Sequence, residues 1–74
     1  MNIEKLIKMA NQIGTFFESM PDRDHALQGV AQHVKRFWEP RMRHALLTHI
    51  ENQPDPTLKP IVYEALTTYK QELH

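Results

Sequence analysis

The sequence predicts an all-α fold, a small bundle of four short helices in which residues 1–74 form a single helical domain. Apolar residues recur every three or four positions in four segments, which is the spacing of one helix face. Short polar segments, most of them containing proline, separate these stretches and favour consecutive helices that pack as antiparallel neighbours. With 74 residues and no cysteine, the chain can bury only about 60–65% of its unfolded surface. We therefore expect a small core of modest stability.

The first predicted helix runs from Ile3 to about Met20, with Asn2 as its N-cap. Its stripe consists of Ile3, Leu6, Ile7, Ala10, Ile13 and Phe17. Gly14 lies inside this pattern, where glycine costs about 1 kcal/mol relative to alanine. We therefore expect a neighbouring helix to approach closely at Gly14. Phe16 points about 100° away from Phe17, so it can face outward and is a candidate partner contact.

The second predicted helix runs from about Asp24 to Phe37, after a turn at residues 19–24. Its inward positions are Leu27, Val30, Ala31, Val34 and either Phe37 or Trp38. Pro40 should break the helix, because a helical proline there would clash with the carbonyl of Arg36. The break places Trp38 at a corner, where we expect its ring to be partly exposed.

The third predicted helix covers residues 40–51, with Pro40 suited to its first position and Glu39 before it. Its inward residues are Met42, Ala45, Leu46, His49 and Ile50. Residues 52–56 hold two prolines and are predicted to be a loop. A fourth helix is expected to begin at Thr57 or Lys59 and to continue to the C-terminus, with its stripe at Ile61, Val62, Ala65, Leu66, Tyr69 and Leu73.

Residues 34–43, which we call the basic window, stand out by charge. They hold the only tryptophan and four of the nine Lys and Arg residues, and Glu39 is their only acid, so the window is net +3 (four bases minus one acid) in a chain of net charge zero. Arginine pairs with carboxylates through a planar fork, and Trp and Arg are enriched at binding hot spots. Phe37 or Trp38 could therefore anchor an acidic, partly apolar partner surface, with the arginines Arg36, Arg41 and Arg43 around them.

Two alternatives remain open for this window. In the first, Trp38 fills the core, Glu39 pairs with Arg43 and the remaining side chains are only solvated. In the second, the window binds nucleic acid, although a pI near 7 argues against a dedicated nucleic-acid-binding domain.

Catalytic, cofactor and metal sites are not expected in this chain. None of the five histidines lies three or four residues from another, which is the spacing of a helical metal pair, and there is no cysteine nucleophile. His33, close to the basic window, is instead a candidate hydrogen-bonding contact for the partner. No signal-peptide layout or apolar run of about 18 residues is present, so we expect a cytoplasmic protein that does not bind membranes.

Several stretches resemble the delta subunit of NAD-dependent formate dehydrogenase. They are Met9-Ala10-Asn11-Gln12-Ile13, Phe16-Phe17, and above all the run from His33 to Arg43, which contains FWEPRMR. The segments Leu58-Lys59-Pro60-Ile61-Val62 and Glu64-Ala65-Leu66 are also similar to that family, and the resemblance spans nearly the whole chain.

The resemblance implies a non-catalytic accessory subunit of a cytoplasmic complex that oxidises formate and reduces NAD. It implies no cofactor in this chain, because the molybdenum or tungsten pterin belongs to the large catalytic subunit and the iron–sulfur clusters, FMN and NAD to the complex. The chain would dock on the large subunit and support assembly, cofactor loading or stability. A transient maturation factor for the same enzyme is the alternative role.

Overall fold

The computed structural model describes residues 2–74; Met1, which the predicted domain of residues 1–74 includes, lies outside this range. Across residues 2–74 the chain forms five α-helices: α1 (Ile3–Phe17), α2 (Arg23–Phe37), α3 (Pro40–Asn52), α4 (Pro60–Thr68) and α5 (Lys70–Leu73). The all-α bundle is therefore confirmed, with four longer helices and one additional turn. None of these helices has both the length and the apolar character needed to span a bilayer.

Two helices start at side-chain caps, and the predicted cap at Asn2 is confirmed. The Asn2 side chain accepts a hydrogen bond from the backbone N–H of Lys5 at 3.2 Å, and Asp22 accepts one from His25 at 3.2 Å. Both are N-caps that satisfy otherwise unpaired donors of the first turn. Pro40 occupies the first turn of α3 after an extended Glu39, so the predicted break at Pro40 is confirmed.

The C-terminal helix differs from the prediction, because it does not continue unbroken to the end. Tyr69 leaves helical geometry, with φ −106° and ψ 24°, and separates α4 from α5. Two β-branched residues, Thr67 and Thr68, precede the break and lower the local preference for helix. Leu73, beyond the break, is nevertheless buried in the core as predicted.

One hydrophobic cluster joins all five helices. Its buried members are Leu6, Ile7, Ala10, Ala26, Leu27, Val30, Val34, Trp38, Leu46, Leu47, Ile50, Leu58, Ile61, Val62, Ala65, Leu66 and Leu73. Most of the predicted inward positions are in this set, and others pack partly buried against it: Ile3, Ile13, Phe17, Met42, Ala45 and Tyr69. The prediction omitted Ala26, Leu47 and Leu58.

The packing order differs from the predicted one of consecutive neighbours. α2 packs most extensively against α4 and α1, and α4 packs on α1 and α2 rather than substantially on α3. Asn11 on α1 gives the physical reason, since its Nδ2 donates to the Thr57 carbonyl at 2.8 Å and its Oδ1 accepts from the Lys59 backbone N–H at 2.9 Å. These bonds hold the α3–α4 connection on α1 and so place the start of α4 beside α1.

Both glycines mark close contacts between helices. A Cβ placed on Gly14 would lie 2.7 Å from Cγ2 of Val62 and 3.2 Å from Cγ2 of Ile61, so the predicted close approach at Gly14 is confirmed. A Cβ on Gly29 would overlap the ring of Phe17. The α1–α2 contact therefore depends on an aromatic ring lying over a glycine, which no spacing rule predicted.

Candidate partner-binding surface

The corner between α2 and α3 consists of two extended residues, Trp38 and Glu39. The Trp38 backbone N–H still donates to the Val34 carbonyl at 3.0 Å, and its side chain then enters the core with only 6% exposed. The expectation that Trp38 is partly exposed is therefore wrong. The extended backbone directly after the last helical residue turns the indole inward. This is the arrangement of the first alternative, in which Trp38 fills the core.

Phe37 takes the opposite orientation and is 70% exposed. Of the two residues considered for the inward position, Trp38 is the buried one and Phe37 the outward one. The Phe37 ring packs against the imidazole of His33, one helical turn earlier, with the ring centroids 4.7 Å apart. Phe37, and not Trp38, is thus the aromatic side chain that this corner exposes to solvent.

Arg43 is held by its own chain. Its Nη1 donates to the Lys35 carbonyl at 3.0 Å, which places a cation at the C-terminal end of α2, where the helix dipole favours positive charge. Its Nε is buried and has no hydrogen-bond partner within residues 2–74. The predicted Glu39–Arg43 side-chain pair is not found among the described residues, where the two residues are joined by a backbone hydrogen bond of 3.1 Å. Arg43 therefore mainly supports the corner.

Phe16 faces outward as predicted and is 72% exposed. Its ring meets that of Phe17 edge-on, with centroids 4.9 Å apart, and Phe17 in turn packs against the core. A groove of about 400 Å³ between α1 and α2 is lined by Gln12, Ile13, Phe16, Phe17 and His33. The structure thus brings two of the predicted contacts, Phe16 and His33, to one groove, with Phe37 beside it.

We call Phe16, Phe17, His33 and Phe37 the aromatic patch. Among the described residues, Phe16 and Phe37 are the most exposed large apolar side chains, well above Met20 and Tyr63. The sequence predicted Phe16, His33 and Phe37 as contacts, but it did not predict Gln12, Ile13 and Phe17 as walls of the groove. Helical spacing alone does not predict these walls, because they depend on the way α1 crosses α2.

Elsewhere on the surface, opposite charges pair within the chain. Three ion pairs join distant segments: Arg23 with Glu64 at 2.8 Å, Lys59 with Glu18 at 3.2 Å, and Lys70 with Glu51 at 3.1 Å. In the part of the chain that the structure describes, six cations form no ion pair: Lys5, Lys8, Lys35, Arg36, Arg41 and Arg43. Arg36 and Arg41, both predicted contacts, are also exposed.

The carboxylates Asp55 and Glu51 accept hydrogen bonds that join separate segments of the chain. Hydrogen bonds from the Thr57 side chain, and then from His49 at 2.8 Å, lower the pKa of Asp55 to about 2. Hydrogen bonds from Lys70 and then His74 lower the pKa of Glu51 below its usual value. Over residues 2–74, no three His, Asp or Glu side chains come together so that they could hold a metal ion. These groups connect α3 to the following connection and to the C-terminal segment.

Comparison with known proteins gives the family. No curated protein and no solved structure matches the chain. The family model described as the NADH-dependent formate dehydrogenase delta subunit, FdsD, matches residues 5–66, which include all of α2 and α3 and most of α1 and α4. The matched region holds every side chain of the aromatic patch as well as the basic window. This chain therefore belongs to the NADH-dependent formate dehydrogenase delta subunit family.

Proposed function

We propose that this chain is a non-catalytic accessory subunit that docks on the large catalytic subunit of a cytoplasmic formate dehydrogenase complex. Its role is to support assembly, cofactor loading or stability of the enzyme. The chain itself carries no cofactor, and the molybdenum or tungsten pterin, iron–sulfur clusters, FMN and NAD belong to the other subunits. It binds neither nucleic acid nor membranes.

The observation that carries this proposal is the aromatic patch. Phe16 and Phe37 each leave about 70% of their surface in water, on a chain that belongs to a family of enzyme subunits. Exposed aromatic side chains that lie together are typical of protein interfaces, where they supply much of the binding energy. Other parts of residues 2–74 leave both rings largely uncovered, so a partner that covers them explains their presence.

Affinity purification tests the proposal directly. A tagged copy of the full chain, expressed in its native cell, should capture the large formate dehydrogenase subunit, identified by mass. In gel filtration of the purified enzyme, the chain should co-elute with the large subunit at a fixed stoichiometry. Capture followed by complete separation in gel filtration would contradict a stable subunit and favour the transient maturation factor.

The nucleic-acid alternative has its own test. Binding through the unpaired cations would appear as retarded DNA or RNA at low salt, with affinity falling steeply as salt is added because counterions are released. We expect no retardation at low salt.

The supporting role has a separate genetic test. Removal of the gene should lower the yield, or the pterin content, of the active enzyme.

A further inference from the structure

We propose that the groove between α1 and α2 receives an acidic amphipathic segment of the large subunit, whose apolar side chains cover the aromatic patch. This inference rests on the proposed function and identifies the surface and the chemistry of the segment that it binds. It moves the docking site from the Trp38 corner to the α1–α2 face, with Phe37 where the two regions meet.

The shape of the groove suits the apolar side of such a segment. Its volume of about 400 Å³ lies between two helices, and Ile13, Phe16 and Phe17 form its apolar walls. A groove between helices is a common binding site for the apolar face of an amphipathic segment, which inserts side chains at helical spacing. His33 lines the groove and also packs on Phe37, so a segment lying along it can cover both exposed rings.

The charge around the patch identifies the polar half of the partner segment. Lys5 lies eleven residues before Phe16 on α1, about 20° from it around the helix axis, so the two share one side of α1. Arg36 lies three residues after His33 on α2, which makes them neighbours on that helix. Neither cation forms an ion pair within residues 2–74.

Acids of this chain do little to neutralise that face. Glu18 is held by Lys59, and Glu64 is held by Arg23. Glu4 lies in the first turn of α1, where the positive end of the helix dipole offsets its charge. Glu39 is the one acid of residues 34–43, where four bases outnumber it. A partner segment that carries carboxylates therefore complements the face.

A second copy of this chain is a poorer occupant. A symmetric dimer through the aromatic patch would bring the same surface of each copy together. Lys5 and Arg36 of one copy would then approach the equivalent cations of the other, and like charges across an interface are costly. The same cations that suit an acidic partner therefore disfavour self-association.

Photocrosslinking in the assembled complex tests the site. The photoreactive residue p-benzoylphenylalanine replaces Phe16 or Phe37 in the full chain co-expressed with the enzyme. Both positions should crosslink to one large-subunit segment rich in Asp, Glu and apolar residues. Tyr63 is the matched control, because it is an exposed aromatic that lines a different groove, with Leu47 and Ile50. It should not crosslink to that segment.

Charge reversal provides the second arm, with paired controls on the same helices. Arg36→Glu should reduce the amount of chain retained on the large subunit about tenfold or more, and Lys35→Glu by less than about twofold. Lys35 is a suitable control, because it lines a cavity on another side of α2, with Tyr69 and Glu72. Lys5→Glu and Lys8→Glu form the matching pair on α1, since Lys8 lines the groove that contains His49 and Asp55. Circular dichroism checks that each variant folds.

The outcomes separate this inference from the proposed function. Crosslinks from both positions to an acidic segment, with losses confined to Arg36→Glu and Lys5→Glu, support the site. Normal assembly of all variants, or crosslinks from Tyr63 only, overturns the site and leaves the proposed subunit role intact. Crosslinks between two copies of the chain overturn the choice of occupant. Failure of the unmodified chain to join the enzyme overturns the proposed function itself.

Discussion

Gly14 on α1 and Val62 on α4 lie so close together that a Cβ on the glycine would fall 2.7 Å from Cγ2 of the valine. Val62 is fully buried and β-branched, so its side chain has little freedom to move aside. The missing side chain at position 14 therefore sets the distance at which α4 packs on α1.

Gly14→Ala should destabilise the fold although alanine is the better helix former. The gain of about 1 kcal/mol in helix propensity is smaller than the overpacking cost of about 1–3 kcal/mol, and we expect a net loss of about 1 kcal/mol. Urea denaturation followed by circular dichroism measures it. Thr15→Ala, at an exposed position of the same helix, serves as the control. A more stable Gly14→Ala variant would show that α4 can move away without loss.

Trp38→Ala should cost about 3–5 kcal/mol and remove much of the helical signal, because the indole is a core residue. Phe37→Ala, one residue away, should change stability by less than about 0.5 kcal/mol, because the ring is mostly in water. Thermal and urea denaturation of the isolated chain compare the two variants. Retention of the full helical signal by Trp38→Ala would contradict the placement of the indole in the core.

Arg43→Met should destabilise the corner by about 1 kcal/mol. The variant loses the hydrogen bond to the Lys35 carbonyl and the favourable charge at the end of α2, and burial of the unpartnered Nε makes that loss smaller than for a fully paired arginine. Arg41→Met is the control, because Arg41 is exposed and forms no ion pair with any described residue. Equal stability of the two variants would show that the Lys35 contact contributes nothing.

Asp55 should make stability depend on acid pH. Its folded-state pKa of about 2 lies below the ordinary value of 3.8, so its ionised form stabilises the fold above about pH 4. That contribution should be lost as the pH falls from about 4 to about 2, where the carboxylate gains a proton. Urea midpoints of the unmodified chain and of Asp55→Asn should differ at about pH 5 and converge near pH 2. A difference that does not change with pH would contradict the role of the charge.

The helices and most of the core could be predicted because they depend on local rules. Caps at Asn2 and Asp22 and the proline at position 40 act within one turn, and burial follows the three-and-four spacing. The order of packing could not be predicted in this way. It depends on Asn11, whose side chain reaches two backbone groups more than forty residues away. No periodicity in one segment carries that information.

The candidate surface could likewise be predicted only in part. Phe16 could be placed outside because neighbouring residues on a helix point in different directions. Phe37 and Trp38 could not be told apart from spacing, because Trp38 is the first residue beyond α2 and helical periodicity no longer applies to it. The backbone torsions at Trp38 decide which ring enters the core, and those torsions depend on how α3 continues from Pro40.

Burial of Trp38 has a consequence for the energetics of association. Because the indole is enclosed, the backbone that carries Phe37 is fixed before any encounter, and the neighbouring imidazole already restricts how that ring rotates. Phe37 should then lose less side-chain entropy on binding than a freely rotating side chain would. In the proposed complex, Phe37 would therefore bind as a preorganised group, and a modest contact area would yield a higher affinity than a flexible side chain would allow.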